Sequence, residues 1–198
     1  MPDSTSVPRK DWDMTTLHGI GDLVIALREL GSVLQPVRVA ATLRGVRIDE
    51  RTLKPYFTWE PGRYTRNLVH RDDAFELIAI CWEKDARSAI HDHADSDCAF
   101  VLQNGAITCE NYRVAWAEGH AKGACELRHT STRTLRNGEI DMRSGHLSVH
   151  RVASCDGRAV TLHVYAKPID ECLAYDDDGA YRVSLSKYDS VPTASAAD

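Results

Sequence analysis

From residue 74 to residue 188 the chain is a succession of short β-type runs, with no long helical stretch between them. The runs are FELIAICWE, CAFVLQ, AITCENYRV, CELRHTSTRTL, LSVHRVAS, AVTLHVYA and YRVSLSKY. Asn104-Gly105, Asn137-Gly138, Asp156-Gly157 and Asp178-Gly179 separate them with residues that hairpin turns favour. Closely spaced strands joined by such turns pair antiparallel. The segment is therefore predicted to form a sandwich or barrel.

Ahead of this segment, Leu17, Ile20, Leu23, Val24, Ala26 and Leu27 recur at helical spacing between Thr15 and about Leu30, with Gly31 as a stop. A second helical stretch runs from Pro36 to Leu43 and ends before Gly45. The segment YFTWEPGRYTRN (56–67) reads as a loop or extended stretch turning at Pro61-Gly62. At 198 residues the chain is expected to form one domain, 1–198. Its parts are a helical cap over 13–46 and a β-barrel over 56–188, with disordered tails at 1–12 and 190–198.

The net charge of −5 is spread along the chain with both signs mixed, which argues against a nucleic-acid surface. No run approaches the roughly 18 apolar residues of a membrane span. The N-terminal MPDSTSVPRKDWD lacks the apolar region of a secretory signal, so the expected compartment is the cytoplasm. The cysteines at 81, 98, 109, 125, 155 and 172 show no CxxC spacing, and free thiols are expected rather than disulfides.

Residues 90–98, IHDHADSDC, concentrate potential ligands. If they are extended, His91 and His93 point to one side and Asp92 to the other. Paired neutral imidazoles suit Fe, Zn, Cu or Ni better than Mg or Ca. A solvated surface turn is the competing explanation. In VTLHVYA (160–166), Val160, Leu162 and Val164 share one strand face, while Thr161, His163 and Tyr165 share the other. A polar face inside a β-rich domain must find partners. LSVHRVAS places His150 between Val149 and Val152 on another strand.

The spacing of His91, His93, Cys98 and Gly105 resembles the first cupin motif, with Cys98 where many cupins carry glutamate. GEIDMRSGHLSVHRVAS resembles the second motif, with Gly138 as its glycine and His150 as its histidine, although the usual proline is absent. Six segments in order then resemble the cysteine dioxygenase family: YTRNLV (64–69), CW (81–82), SAIHDHADSDC (88–98), HRV (150–152), LHVY (162–165) and IDEC (169–172). The resemblance covers roughly residues 55 to 175. It implies a cupin barrel with a small helical cap, one mononuclear non-haem Fe(II), and oxidation of L-cysteine by O2 to cysteine sulfinic acid.

Carried over by position, the resemblance makes His91, His93 and His150 the iron ligands. Arg66 becomes the partner of the substrate carboxylate, with Tyr64 beside it. Cys98 and Tyr165 match the pair joined by a thioether in part of the family, and His163 matches the residue that hydrogen-bonds the tyrosine. Cys172 also matches a family cysteine. Thr161 stands where serine is common, and AKP (166–168) replaces Ser-Pro-Pro. The nearest alternative, 3-mercaptopropionate dioxygenase, typically has Gln in place of Arg66 and Gly in place of Cys98. More distant alternatives are a zinc cupin enzyme and a non-enzymatic cupin that binds a small molecule. A monomer is compatible with the sequence, which does not fix the oligomeric state.

Overall fold

The computed structural model describes residues 19–44, 48–115 and 124–192. Two helices, α1 (Ile20–Arg28) and α2 (Pro36–Arg44), and a short third, α3 (Glu50–Leu53), precede eleven strands. These are β1 (Tyr64–Arg71), β2 (Glu76–Trp82), β3 (Ile90–His91), β4 (Asp97–Asn104), β5 (Ala106–Ala115) and β6 (Glu126–Arg136), followed by β7 (Ile140–Ser144), β8 (Val149–Ser154), β9 (Ala159–Ala166), β10 (Glu171–Tyr175) and β11 (Tyr181–Leu185). The strands form two sheets, ordered β1-β2-β9-β4-β7 and β11-β10-β3-β8-β5-β6. Every pairing between these strands is antiparallel. This is the expected all-β cupin architecture with a helical cap.

The central strands β2, β4 and β9 are buried on both faces. This explains why FELIAICW reads as a continuous apolar run rather than an alternation. Leu77, Ala79, Ala99, Val101, Leu162 and Val164 pack with Leu23, Leu27, Val39 and Leu43 of the helices. The intervening residues Ile78, Ile80, Trp82, Cys98, Phe100 and Tyr165 face the other way, into the barrel with Ile107, Leu135 and Val152. The period-2 alternation thus divides each central strand between the helical cap and the barrel interior.

Several sequence expectations change. The segment 56–67 contains the start of β1, which follows the turn at Gly62. The short strands β3, β7 and β10 add to the runs that the sequence pattern marks. The first helix begins at Ile20, and the expected tail 1–12 lies outside the described residues. The expected tail from 190 is held at its start: the Ser190 hydroxyl donates to Asn67 Oδ1 at 2.8 Å, and Leu68 N–H donates to the Ser190 carbonyl at 2.9 Å. Residues 193–198 lie outside the described residues. No helix among the described residues is long and apolar enough to cross a membrane.

Gly105 joins β4 to β5 with φ at 88°, and a Cβ there would lie 2.4 Å from the Arg158 carbonyl oxygen. Both the left-handed backbone and the neighbouring strand exclude a side chain. Gly105→Ala is expected to lower unfolding free energy by about 2 kcal/mol or more. Urea denaturation tests this, and an unchanged midpoint would show that the β4–β5 connection relaxes freely.

Candidate metal and substrate site

His91 ends β3 and is the register partner of His150 on β8. His93 follows two residues later, just before Ala94 takes a left-handed φ of 49° and turns the chain. The three rings converge, with centroids 4.6 Å apart for His91–His150, 4.9 Å for His93–His150 and 5.4 Å for His91–His93. One nitrogen from each lies within 4.8 Å of the others. Asp92 points the other way and is fully buried. Its carboxylate accepts Leu173 N–H at 2.9 Å and lies 2.6 Å from His146 Nδ1, fastening the His-x-His segment to β10.

His91 Nδ1 lies 3.0 Å from the Ala89 carbonyl and His93 Nδ1 lies 3.2 Å from the Ser148 carbonyl. A carbonyl can only accept, so each Nδ1 carries the proton and leaves the Nε2 lone pair free. Burial lowers the pKa of all three rings below the ordinary 6.5, well below for His93 and His150. Neutral imidazoles with free lone pairs fit a divalent cation, and the set contains no carboxylate.

A cavity of about 100 Å³ opens beside these rings, lined by Tyr64, Arg66, His91, His93, Tyr165 and Cys172, among others. A smaller space of about 20 Å³ reaches His150, Trp82 and His163. Arg66, from β1, donates through Nη2 to Ser186 Oγ at 2.9 Å. Its guanidinium carbon lies 5.8 Å from the Tyr165 ring centroid. Tyr64 packs on Trp82, with centroids 4.9 Å apart.

Cys98 is buried beneath the cavity and is the register partner of Tyr165. In an antiparallel pair, such residues hold their side chains side by side on one face. Burial pushes both the Cys98 thiol and the Tyr165 phenol far above their ordinary values. Trp82 Nε1–H donates to Thr161 Oγ1 at 2.9 Å, and Thr161 Oγ1 lies 2.9 Å from His163 Nε2. Nδ1 of His163 lies 3.9 Å from Cys98 Sγ, so Thr161 and Cys98 take up the two ring nitrogens. The expected partner of His163, the Tyr165 hydroxyl, is not among these two contacts. Two residues apart on one strand face, the rings stand nearly parallel, 17° apart with centroids at 6.1 Å, so they stack rather than meet tip to tip.

Sequence reasoning missed Glu76. It is fully buried, with Oε1 4.0 Å from Arg66 Nη2 and Oε2 3.2 Å from Arg71 Nη1. Tyr188 also hydrogen-bonds this carboxylate. Standing at the polar start of an apolar run, Glu76 carries no local signal of burial between two arginines.

A family model described as "Cysteine dioxygenase type I" matches residues 19–178. Cysteine dioxygenase type 1 of Rattus norvegicus is 32% identical over 162 residues, covering 79% of this chain and 78% of that protein. The Homo sapiens protein of the same name is 30% identical with the same coverage. Among solved structures, TT1209 from Thermus thermophilus aligns with a TM-score of 0.45 and 16% identity, covering 58% of this chain and 93% of that one.

The buried rings make stability depend on pH. Below about 6.5 the unfolded chain protonates these histidines, while folded His93, His150 and His163 stay neutral to well below that value. The unfolded state then binds more protons, so stability falls as the pH drops from 6.5 towards the lowered folded values. Metal-free protein is expected to show a lower urea midpoint at about pH 5.5 than at about pH 7.5. Equal midpoints would mean that the folded protein protonates these rings as readily as the unfolded chain.

Proposed function

The chain belongs to the cysteine dioxygenase type I family, and on that premise we propose that it oxidises the thiol of L-cysteine to a sulfinic acid with O2. One Fe(II) on His91, His93 and His150 is the proposed cofactor. The observation that carries the reading is the adjacency of the neutral three-histidine set to Arg66, which lines both the cavity beside His91 and His93 and the smaller space that reaches His150. Both oxygen atoms of O2 end on the substrate sulfur, so the thiol and O2 together account for every atom of the sulfinic acid.

A bound Fe(II) would supply the redox chemistry with O2 and would favour the thiolate form of the substrate. Three imidazoles leave the metal's +2 charge uncompensated, which suits a substrate bringing its own anionic sulfur. Arg66 spends one donor on Ser186 and keeps others for a carboxylate, in a fork that lysine cannot reproduce. Holding the carboxylate there fixes the thiol end against the histidines, the positioning that an oxygen-transfer step requires. Tyr165 and Tyr64 wall the cavity beside Arg66, and the Tyr165 phenol stays protonated as a hydrogen-bond donor. Cys98 and His163 support Tyr165 from beneath, and the proposed Cys98–Tyr165 thioether would fix it further.

Arg66 and Cys98 favour cysteine over 3-mercaptopropionate, whose dioxygenases typically carry Gln and Gly at those places. The three-histidine set would also hold Zn(II), so metal identity needs its own control. Arg66→Ala is expected to raise KM for L-cysteine about tenfold or more, through loss of a charge-assisted bond. For cysteamine, which has no carboxylate, KM should barely move. Steady-state O2 uptake with both thiols reads this directly, and equal effects on both would remove the carboxylate role from Arg66.

A further inference from the structure

On β5 and β7, next to His150, lies a polar cluster of Cys109, Asn111, Asp141 and Arg143, none of which lines either cavity. Asn111 is the register partner of His150 on β8. Arg143 is mostly buried and donates to Asn111 Oδ1 through Nη1 and to Asp141 Oδ2 through Nη2. One ligand-type atom from each of Cys109, Asp141 and His150 lies within 4.8 Å of the others. His150 Nδ1 is buried without a hydrogen-bond partner, although Nδ1 of His91 and of His93 each meets a backbone carbonyl.

This cluster is not a second cation site. Asp141 is already neutralised by the Arg143 guanidinium, and burial pushes the Cys109 thiol up to about 12. Its bearing is on His150. A histidine that offers Nε2 to a metal must carry its proton on Nδ1, and a buried N–H without an acceptor is costly. Among the described residues, a carboxylate oxygen of Asp141 lies within 4.8 Å of a His150 ring nitrogen, a separation that a small side-chain shift would turn into a hydrogen bond.

We propose that Asp141 is the positioning residue of His150, its carboxylate accepting the Nδ1–H and so fixing the tautomer that presents Nε2 to the metal, while Arg143 competes for the same carboxylate. The inference rests on His91, His93 and His150 holding a metal. It divides the triad: two histidines are oriented by backbone carbonyls and the third by an ionic side chain. A carboxylate partner makes the imidazole a stronger ligand, and a guanidinium drawing on that carboxylate weakens the effect. Held on the Asp141 carboxylate, the Arg143 guanidinium also places a positive field close to His150. The same field opposes a metal cation at that ring. A buried ion pair contributes little net stability, so its presence beside a ligand is better explained by its effect on that ligand.

Asp141→Asn and Arg143→Met each break the same ion pair, so a purely structural role would weaken metal binding in both. The inference gives opposite signs. Anaerobic titration of the full chain with Co(II), followed by visible absorption, should show the dissociation constant rising about 10- to 100-fold in Asp141→Asn. It should fall in Arg143→Met, a gain that a misfolded variant cannot produce. In Zn(II)-loaded protein with 15N-labelled histidine, the His150 Nδ1–H proton should lie far downfield and move upfield in Asp141→Asn. An unchanged constant in Asp141→Asn, weaker binding in both variants, or an unmoved Nδ1–H resonance would each overturn the inference. Co(II) binding that is unaffected by His91→Ala would instead overturn the metal assignment, and the inference with it.

Discussion

A one-residue slip between β3 and β8 would separate His91 from His150 and turn one of them off the barrel interior. The site depends on that register because side-chain direction along a strand has a period of two. The partner face of Asp92 helps to set it. The Asp92 carboxylate, fully buried, is tied to Leu173 N–H and His146, so the residue between the two histidines anchors their segment to β10. The same alternation on β9 sends Leu162 and Val164 to the helices and His163 and Tyr165 inward. One geometric rule thus supplies both an apolar contact for the cap and a polar floor for the cavity.

Electrostatics complete what register begins. Burial holds the histidines neutral, which frees their lone pairs but leaves any bound cation without a protein anion among its ligands. Charge is instead arranged around the site. Arg66 faces the cavity with Glu76 beside it, and Arg71 and Tyr188 hold Glu76 from the other side. Near His150 a second carboxylate, Asp141, is likewise held by an arginine, Arg143. Neither Glu76 nor Asp141 lines the cavity itself.

The barrel was legible in the sequence wherever a strand is long and buried on both faces, as in ELIAICW and AVTLHVYA. It was not legible where a strand carries polar residues that find their partners far away. The start of β1 reads as no more than a loop or extended stretch because Thr65, Arg66 and Asn67 are polar. Yet Asn67 is fully buried, satisfied by Thr58, the Ala79 carbonyl and Ser190, the last 123 residues away in the chain. β7, IDMRS, hides for the same reason, its Asp141 and Arg143 neutralising each other. The paired histidines 91 and 93, and the polar face of β9, were legible from spacing alone. Arg66, Tyr64 and the Cys98–Tyr165 pairing came only from the family resemblance. Glu76 and the His150 neighbours have no local signal, because their burial is created by tertiary contacts.

The central proposal is that this cavity positions a small amino-acid thiol for oxidation by O2, with His91, His93 and His150 as the residues that would hold Fe(II). The most direct test is to load the protein with Fe(II) or, as a control, Zn(II), and to measure O2 consumed against sulfinate formed from L-cysteine. The expected result is one O2 consumed per sulfinate with iron and none with zinc, both sulfinate oxygens carrying label when 18O2 is supplied. Full iron occupancy without O2 uptake for any small thiol, or label entering from water, would contradict it.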